Sequence, residues 1–421
     1  MGLQLCQLCE IAYFVTDKIP LENVLLTDYV TTDSLLPNKE GRCIAQNLPP
    51  QKCVLTHYKC GDVLVANIRP YLKKIWFADR EGGASADVLV FRAKSGHSQE
   101  FLYASLLQDS FYDYVMKGKK GSKMPRGDKD QIMRYSIPKL SLAEEACIGN
   151  MILSFCTKIN VNRRINDNLE AMAKQLYDYW FVQFDFPNEE GKPYKSSGGA
   201  MVWNEKLKRE IPQGWTAAKI KDVAQTYSGG TPTSTNSEYY DGGDIPWINS
   251  GELNNPIITS TTNYITEEGL NNSSAKLYPQ DTVLVALYGA TTGKVGLLSF
   301  EACSNQAVCG VIPQNKIMNT YIRYYLSSLY EHFITLSSGS ARDNISQDTI
   351  KNTILPIPQG KTLKEFSDAV APIISKIIAN QKEMENLTKQ RDELLPLLMN
   401  GQASINYHLS EFTSVFCQAV Q

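Results

Sequence analysis

The chain carries the same plan twice, and this internal repeat limits its possible folds more than any single motif does. The repeated segments lie about 220 residues apart, and the shift falls to about 218 in the later part of each copy. Matching segments are Val63-Leu64-Val65-Ala66 with Val283-Leu284-Val285-Ala286, residues 101–103 with 321–323, Gly121-Ser122 with Gly339-Ser340, and Asp130, Ile132 and Pro138 with Asp348, Ile350 and Pro356. A nearly constant shift over so many separated matches indicates a duplicated module.

A long helix with a heptad seam is predicted after each copy. Seam residues recur in alternating steps of four and three, the spacing of a helix that packs lengthwise on another helix. Asn162 and Asn380 occupy equivalent seam positions, where a polar residue fixes register at some cost in stability. The predicted seam comprises Ile152, Phe155, Ile159, Asn162, Leu169 and Leu176 in the first helix and Ile373, Ile377, Asn380, Leu387 and Leu394 in the second.

The length of these helices favours a pair that packs together. About 33 residues at 1.5 Å each span roughly 50 Å, which is more than the core of a small domain needs. The alternative, that each helix packs only on its own domain, stays open. Pro372 and Pro396 should kink or break the second helix, so its regular part is expected mainly between them.

Outside the helices, each copy consists of short β-type runs separated by Gly, Asn and Pro turns, as in a mixed α/β domain. The predicted fold class is α+β, with two pseudo-repeated mixed α/β domains separated by an antiparallel pair of long coiled-coil helices. The predicted boundaries are 1–140 for the first domain, 141–185 for the first spacer helix, 186–212 for a linker, 213–357 for the second domain, 358–405 for the second spacer helix and 406–421 for a C-terminal tail.

Composition excludes several classes of protein. The chain has 421 residues, 43% of them hydrophobic, and no apolar run of the roughly 20 residues needed to span a bilayer. No secretory signal is recognisable, so a cytoplasmic location without membrane contact is expected. The cysteines and histidines are scattered, which favours neither a metal site nor a His-based triad. A formal net charge of −2 still allows DNA binding through local basic patches.

Candidate catalytic motifs fail on spacing. Residues 289–294 resemble a phosphate-binding loop, but only three residues separate the glycines, and Val295 stands where Ser or Thr would hold magnesium. Asn47-Leu48-Pro49-Pro50 misses the catalytic motif of adenine methyltransferases by one inserted residue. Asp185 and Glu190 lie in the linker, where carboxylates would not be held rigidly enough to fix a metal. We therefore predict no catalytic residue, no metal and no cofactor on this chain.

Two groups of loop residues are candidates for DNA contact: the basic and aromatic residues Arg69, Tyr71, Lys73 and Lys74, and the basic segment of residues 117–129. Residues 117–129 hold six basic residues and three glycines, at the place of the Gly339-Ser340 loop in the second copy. Lys suits phosphates, whereas Arg and Asn suit base edges. The candidate DNA-binding residues are Arg69, Tyr71, Lys73, Lys74, Lys117, Lys119, Lys120, Lys123 and Arg126 in the first copy and Tyr288, Thr291, Thr292, Lys294, Ser338, Gly339, Ser340, Arg342 and Asn344 in the second. A solvated surface loop and a purely structural turn are the alternatives.

Specific strings resemble the target-recognition domain of type I restriction-modification specificity subunits. In the second copy they are Tyr227-Ser228-Gly229-Gly230-Thr231-Pro232, Gly243-Asp244-Ile245-Pro246-Trp247-Ile248, the loop of residues 288–294, Asn305-Gln306-Ala307-Val308 and Asn344-Ile345-Ser346. Residues 176–187 are similar to the family's central conserved region. With the duplicated layout, the resemblance covers nearly the whole chain, although the first copy lacks the Gly-Gly-Thr-Pro and Ile-Pro-Trp-Ile strings.

This resemblance implies a non-catalytic subunit that recognises DNA. Each target-recognition domain would read one half of a split, asymmetric double-stranded target, and the helices would set the spacer. The helices would also dock two modification (methyltransferase) subunits, which carry S-adenosylmethionine, and restriction/translocase subunits could join them. Trp180 and Phe181 are candidate partner-docking residues, although they could instead pack the helix end against a domain.

Two other functions stay open on the sequence. One is a non-DNA interaction protein that uses two duplicated binding modules on a helical spacer. The other is a self-sufficient modification enzyme, against which the missing methyl-donor and catalytic motifs argue.

Overall fold

A computed structural model describes residues 4–50, 53–121, 123–338 and 344–403. The chain divides into two compact units. The first comprises Met1–Asn162 and Glu383–Gln421, and the second comprises Arg163–Lys382. Each unit therefore combines one copy of the repeat with part of each long helix.

The first unit contains a mixed α/β module. Its elements in chain order are β1 (Leu5–Gln7), α1 (Leu8–Ile11), β2 (Ala12–Phe14), β3 (Lys18–Pro20), β4 (Tyr29–Val30), β5 (Val54–Tyr58), β6 (Val63–Ala66), β7 (Ile75–Phe77), β8 (Gly82–Ala84), β9 (Val88–Ala93), α2 (Gln99–Leu107), α3 (Asp109–Lys117), α4 (Lys129–Ile132) and β10 (Ser136–Pro138). The long helix α5 (Leu142–Tyr177) follows and continues into a π-helical turn at Asp178–Val182.

The second unit contains the corresponding module. Its elements are β11 (Met201–Asn204), β12 (Arg209–Pro212), β13 (Thr216–Lys219), α6 (Ile220–Val223), β14 (Ala224–Ser228), β15 (Ile245–Ile248), β16 (Ile257–Ile258), β17 (Tyr264–Ile265), α7 (Glu267–Asn271), β18 (Val283–Ala286), β19 (Val295–Leu298), β20 (Cys303–Ser304), β21 (Val308–Pro313), α8 (Met318–Ser328), α9 (Tyr330–Ser338), α10 (Gln347–Asn352) and β22 (Ile354–Ile357). The long helix α11 (Gly360–Met399) follows.

The two modules share one sheet topology. The main sheet has the order β2-β9-β6-β7 in the first module and β14-β21-β18-β19 in the second, where β16 adds a fifth strand. Val63 pairs with Phe91 and Val283 with Val311, so the register is the same. A second sheet contains the parallel pair β4–β8 in the first module and β15–β20 in the second. The repeat predicted from the sequence is therefore present in strand order and in register.

Strand β6 lies at the centre of the first module and strand β18 at the centre of the second, and both faces of each strand are covered. Val63 and Val65 join the apolar cluster that includes α2, whereas Leu64 joins a separate cluster on the opposite face. Val283 and Leu284 are divided between two clusters in the same way. Alternate residues of a strand face opposite sides, so an uninterrupted apolar run indicates a strand buried between two layers.

The two long helices pack on each other in antiparallel orientation. In the first unit, the Asn162 side-chain amide donates to Glu383 at 2.8 Å. In the second unit, Asn380 donates to the Asn166 side-chain oxygen at 2.9 Å. Asn162 and Asn380 are both buried. The predicted fold class, with two mixed α/β modules and an antiparallel pair of long helices, is confirmed.

The buried face of the helix pair drifts from the strict heptad. Of the predicted seam, Ile152, Ile159, Asn162, Ile377 and Asn380 are buried, while Phe155, Leu169, Leu176, Ile373, Leu387 and Leu394 are partly exposed. Their neighbours Cys156, Tyr177, Ile374 and Leu395 are buried instead. A helix with 3.6 residues per turn drifts about 20° per heptad against a 3.5-residue repeat.

The expectation that prolines would interrupt the second helix is wrong. Helix α11 runs without a break from Gly360 to Met399, through both Pro372 and Pro396. Both prolines are exposed, and so are Asp368 and Asp392, the residues whose carbonyl groups lose their helical partners. Water can hydrogen-bond to carbonyl groups on this outer face, which lowers the cost of a proline there.

The predicted linker is more ordered than its composition suggests. Residues 201–212 form the hairpin β11–β12, and Phe186 stacks on Tyr194 with ring centroids 4.7 Å apart. The Asp185 carboxylate is buried and accepts hydrogen bonds from the Ser196 backbone N–H at 2.7 Å and hydroxyl at 2.6 Å. These bonds lower the pKa of Asp185. The carboxylate is therefore held in place, contrary to the expectation from the sequence.

Candidate nucleic-acid interface

The loop after β6 is a tight turn that uses left-handed backbone. Arg69 has a φ of 52° and Lys73 a φ of 51°. The Leu72 N–H donates to the Arg69 carbonyl at 2.9 Å, and the Ala66 N–H donates to the Lys74 carbonyl at 3.1 Å. For a residue other than glycine, this conformation costs roughly 1–2 kcal/mol.

The loop after β18 is the same turn made with glycines. Gly289 has a φ of 92° and Gly293 a φ of 79°. The Thr292 N–H donates to the Gly289 carbonyl at 3.2 Å, and the Ala286 N–H donates to the Lys294 carbonyl at 2.9 Å. Gly289 and Gly293, which make residues 289–294 look like a phosphate-binding loop, are instead explained by the positive φ values that this turn requires.

A late loop joins this turn in both modules. In the first module, Ile68 forms an antiparallel bridge with Arg126. In the second, Tyr288 forms the corresponding bridge with Asn344. The structure therefore brings together the two clusters that the sequence presented as separate candidates.

A third loop, just before β9 or β21, completes the cluster. The Asn67 N–H donates to the Asp87 carbonyl at 2.9 Å, and the Leu287 N–H donates to the Ala307 carbonyl at 2.7 Å. The candidate residues chosen from the sequence do not include this loop, because it carries no run of charge. We refer to the turn, the late loop and this third loop as the loop cluster of each module.

The loop cluster of the second module includes a polar group that the candidate residues omitted. The exposed side chain of Gln306 accepts a hydrogen bond from the Thr231 hydroxyl. Burial raises the pKa of Tyr288, and a hydrogen bond with Gln306 opposes this rise. Thr231 and Gln306 both belong to the strings that carry the family resemblance, and these strings were the sequence signal that could have identified Gln306.

Basic residues are exposed on the loop cluster of the first module and on adjoining positions. These exposed residues are Arg69, Lys117, Lys119, Lys120, Lys123 and Arg126, together with the half-exposed ring of Tyr71. Lys120 Nζ lies 2.5 Å from the Asp128 carboxylate, which caps α4. The hydrogen bond from Lys120 is the main cause that lowers the pKa of Asp128 to about 2.

Two candidate lysines are engaged within the first module. Lys73 Nζ lies 2.8 Å from Asp109, which Lys39 also contacts at 2.9 Å. Burial alone would raise the pKa of Asp109, but the hydrogen bonds from Lys73 and Lys39 lower it. Lys74 Nζ donates to the Thr32 carbonyl at 2.5 Å. These contacts favour a structural role for Lys73 and Lys74 in the free chain.

Among its described residues, the second module offers few charged groups at the equivalent place. Thr291 and Thr292 are buried, and the Thr292 hydroxyl donates to the Gly289 carbonyl at 2.7 Å, so both threonines belong to the turn. Lys294 Nζ donates to Asn254 at 2.6 Å. Asn344 is exposed, and Ser338 is the last residue of α9. The candidates Gly339, Ser340 and Arg342 lie outside the described residues.

Trp180 and Phe181 do not form a surface for a partner. Their exposed fractions are 7% and 1%, and Phe181 packs against Tyr321 and Phe366 with centroids 4.7 and 4.8 Å away. The alternative, that they pack the helix end against a domain, describes this structure.

The part of the chain that the structure describes contains neither a metal cluster nor a membrane-spanning helix. Within residues 4–50, 53–121, 123–338 and 344–403, no group of three or more His, Cys, Asp or Glu side chains could hold a metal ion. Among the described helices, none combines the length and the apolar character that a membrane span requires.

Comparisons with known proteins agree with this geometry. Residues 212–389 match a family model described as the type I restriction modification DNA specificity domain. The HindI specificity subunit of Haemophilus influenzae is 26% identical over 436 residues, which cover 89% of this chain and 94% of the relative. The MjaIX specificity subunit of Methanocaldococcus jannaschii is 26% identical over 317 residues, covering 74% of this chain and 71% of the relative.

A solved structure extends the likeness to the fold. The S subunit of a type I restriction-modification system from M. genitalium has a TM-score of 0.56 with 13% identity, covering 96% of this chain and 97% of that one. This likeness concerns the fold, which in the present chain consists of two copies of one mixed α/β module. The resemblance to specificity subunits of type I restriction-modification systems that the sequence predicted is confirmed by the family model over residues 212–389 and by these relatives.

Proposed function

We propose that the chain reads a split, asymmetric double-stranded DNA target, with one half-site for each module. The observation that carries this proposal is the loop cluster. The same three loops meet through equivalent backbone contacts in both modules, for example the Ile68–Arg126 and Tyr288–Asn344 bridges. The side chains differ, since the described residues of the first cluster are largely basic and those of the second are mostly neutral. A shared frame with different side chains suits two domains that read different sequences.

The helix pair is proposed to fix the distance between the half-sites. Asn380 and Asn166 are hydrogen-bonded at 2.9 Å, and Asn162 donates to Glu383 at 2.8 Å. Polar contacts within a mostly apolar seam disfavour sliding by a turn, because a shifted register would leave them buried without partners.

The catalytic steps are proposed to belong to partner subunits. Two modification (methyltransferase) subunits would dock on the chain and carry S-adenosylmethionine, and restriction/translocase subunits could join the complex. The match to specificity subunits, together with the absence of catalytic motifs from the sequence, supports this division of labour.

An exchange of modules tests the proposal. Residues 219–352 would be replaced by the second module of another specificity subunit, and adenine methylation would be mapped in cells that express the complete complex. One half of the methylated motif should change, and the other half and the spacer should stay. A change in both halves, or in neither, would contradict the assignment of one half-site to each module.

Insertion of seven residues into both helices tests the spacing. The insertions would be placed between Asn162 and Leu169 and at the facing part of α11, so that the seam is preserved. The tolerated spacer should lengthen, while both half-sites stay the same. The matched control is an insertion in α5 alone, which should destabilise the chain by misaligning the seam. An unchanged spacer with both insertions would disprove the role of the helices in spacing.

A further inference from the structure

A surface ion pair links two loops of the cluster in the first module. Arg126 Nη2 lies 3.0 Å from Asp87 Oδ1, and the side chains are 54% and 41% exposed. Arg126 belongs to the late loop and Asp87 to the loop before β9. The DNA-binding candidates include Arg126 but omit Asp87.

The backbone on both sides of this pair is held in place. Arg126 and Lys120 exchange two backbone hydrogen bonds of 2.9 Å, and the Arg69 N–H donates to the Pro125 carbonyl at 2.8 Å. The Asp87 carbonyl accepts from the Asn67 N–H at 2.9 Å, directly before β9 begins. Both side chains therefore start from ordered backbone rather than from free loop ends.

An exposed ion pair contributes little to stability, commonly less than about 1 kcal/mol, so substitution of either residue should leave the first module folded. A carboxylate can instead orient a neighbouring guanidinium, which has five N–H donors in a rigid plane. Because Nη2 of Arg126 faces Asp87, N–H groups on the other guanidinium nitrogens stay available to a DNA base. An oriented guanidinium matches the O6 and N7 acceptors that guanine presents in the major groove.

We propose that Arg126, positioned by Asp87, reads a guanine in the half-site of the first module. This inference rests on the proposed function and adds the identity of one base. Arg126 is the specificity-determining residue, and Asp87 is a positioning residue. In the second module Ala307 and Asn344 occupy the equivalent places, as their backbone contacts show, so this pair is confined to the first half-site.

The test is selection of DNA from a randomised duplex library by the full chain, followed by competition with each base at every selected position. Arg126→Ala and Arg126→Lys should both lose roughly tenfold or more of the preference for one guanine, since Lys keeps the charge but not the fork. Asp87→Asn should weaken the same preference and add little to Arg126→Ala in the double variant, because the two residues act together. Asn344→Ala is the matched control in the second module and should leave that guanine unaffected.

The outcomes separate the inference from the proposed function. If the full chain selects a split motif, but Arg126→Ala weakens all bases equally and Arg126→Lys restores binding, Arg126 contacts a phosphate and the inference is wrong. The inference is also wrong if Asp87→Asn leaves the guanine preference intact. If the wild-type chain selects no sequence at all, the proposed function fails as well. Because both side chains face solvent, unchanged thermal midpoints would show that the variants fold.

Discussion

The two modules share a backbone and differ in the chemistry they display. In the turn after β6 or β18, Arg69 and Lys73 take the left-handed conformations that Gly289 and Gly293 take in the second module. The first loop cluster presents exposed lysines and arginines, whereas the described part of the second presents Tyr288, Gln306 and other neutral groups. The first module therefore keeps the turn geometry although Arg69 and Lys73, which carry a Cβ atom, adopt left-handed conformations less readily than glycine does.

The two units also differ in the contact made by a buried arginine. In the second unit, the buried Arg323 of α8 lies 2.6 Å from Glu170 of α5, so it joins the module to a long helix. In the first unit, the buried Arg391 of α11 has its Nη1 3.9 Å from the thiol of Cys156 in α5, so it joins the two long helices to each other.

The largest effect is expected from breaking the attachment in the second unit. Arg323→Ala should lower the free energy of unfolding by about 3 kcal/mol, because it opens a cavity and leaves Glu170 without its partner. Arg323→Met keeps most of the volume and should cost less. Trp fluorescence during denaturation reports this loss, since Trp180, Trp203, Trp215 and Trp247 belong to the second unit and Trp76 to the first.

Arg391→Ala is the matched variant in the first unit. It should leave the transition of the second-unit tryptophans nearly unchanged while destabilising the first unit. Equal effects of both variants on that transition would mean that the two contacts are not independent.

The next effect concerns the charge difference between the loop clusters. The double variant Lys119→Ala with Lys120→Ala should weaken DNA binding for all sequences and reduce its salt slope by about 2, about 1 for each lost phosphate contact. Lys294→Ala in the second module should change the slope by no more than about 1. Titrations of a fixed duplex at several salt concentrations measure both. An unchanged slope in the double variant would remove this loop from the interface.

A smaller effect is expected at the polar group of the second module. Gln306→Ala should alter the base preference at one position of one half-site by roughly fivefold or more, since a glutamine amide can pair with an adenine edge. As a control, the base preference in the first half-site is measured in the same variant and should be unchanged. Loss of preference in both half-sites would contradict the division between modules.

The sequence predicted the parts of this structure that depend on periodicity. The repeat predicted the equivalence of Val63–Ala66 and Val283–Ala286, because an apolar strand at the centre of each module must pack on both faces. The heptad predicted the helix pair, but not that Cys156 would be buried more deeply than Phe155, because the straight helix drifts from the repeat. Helix α11 continues through Pro372 because Pro372 and Asp368 face solvent, and the local sequence does not show which face of the helix is exposed.

The candidate site was predicted less completely, because loops meet through contacts between distant residues. Charge density drew attention to residues 117–129. Asp87 carries no such local signal, and Gln306 is marked only by the string that resembles the family; both join the cluster through strand order. Trp180 shows the opposite failure, since a large aromatic residue at a helix end suits a docking surface and a core equally well. Only the packing against Phe366 distinguishes the two.

The smallest effect tests the shared turn itself. Gly289→Ala should destabilise the second unit by about 1 kcal/mol, because φ of 92° is unfavourable for a residue with a Cβ atom. Arg69→Gly should change the stability of the first unit by less than about 1 kcal/mol, since relief of the left-handed conformation offsets the greater entropy of an unfolded glycine. Chemical denaturation of each variant measures both shifts. If Arg69→Gly destabilised the first unit as much as Gly289→Ala destabilises the second, Arg69 would stabilise the turn through its side chain. The first module would then hold this geometry by contacts that the second module does not need.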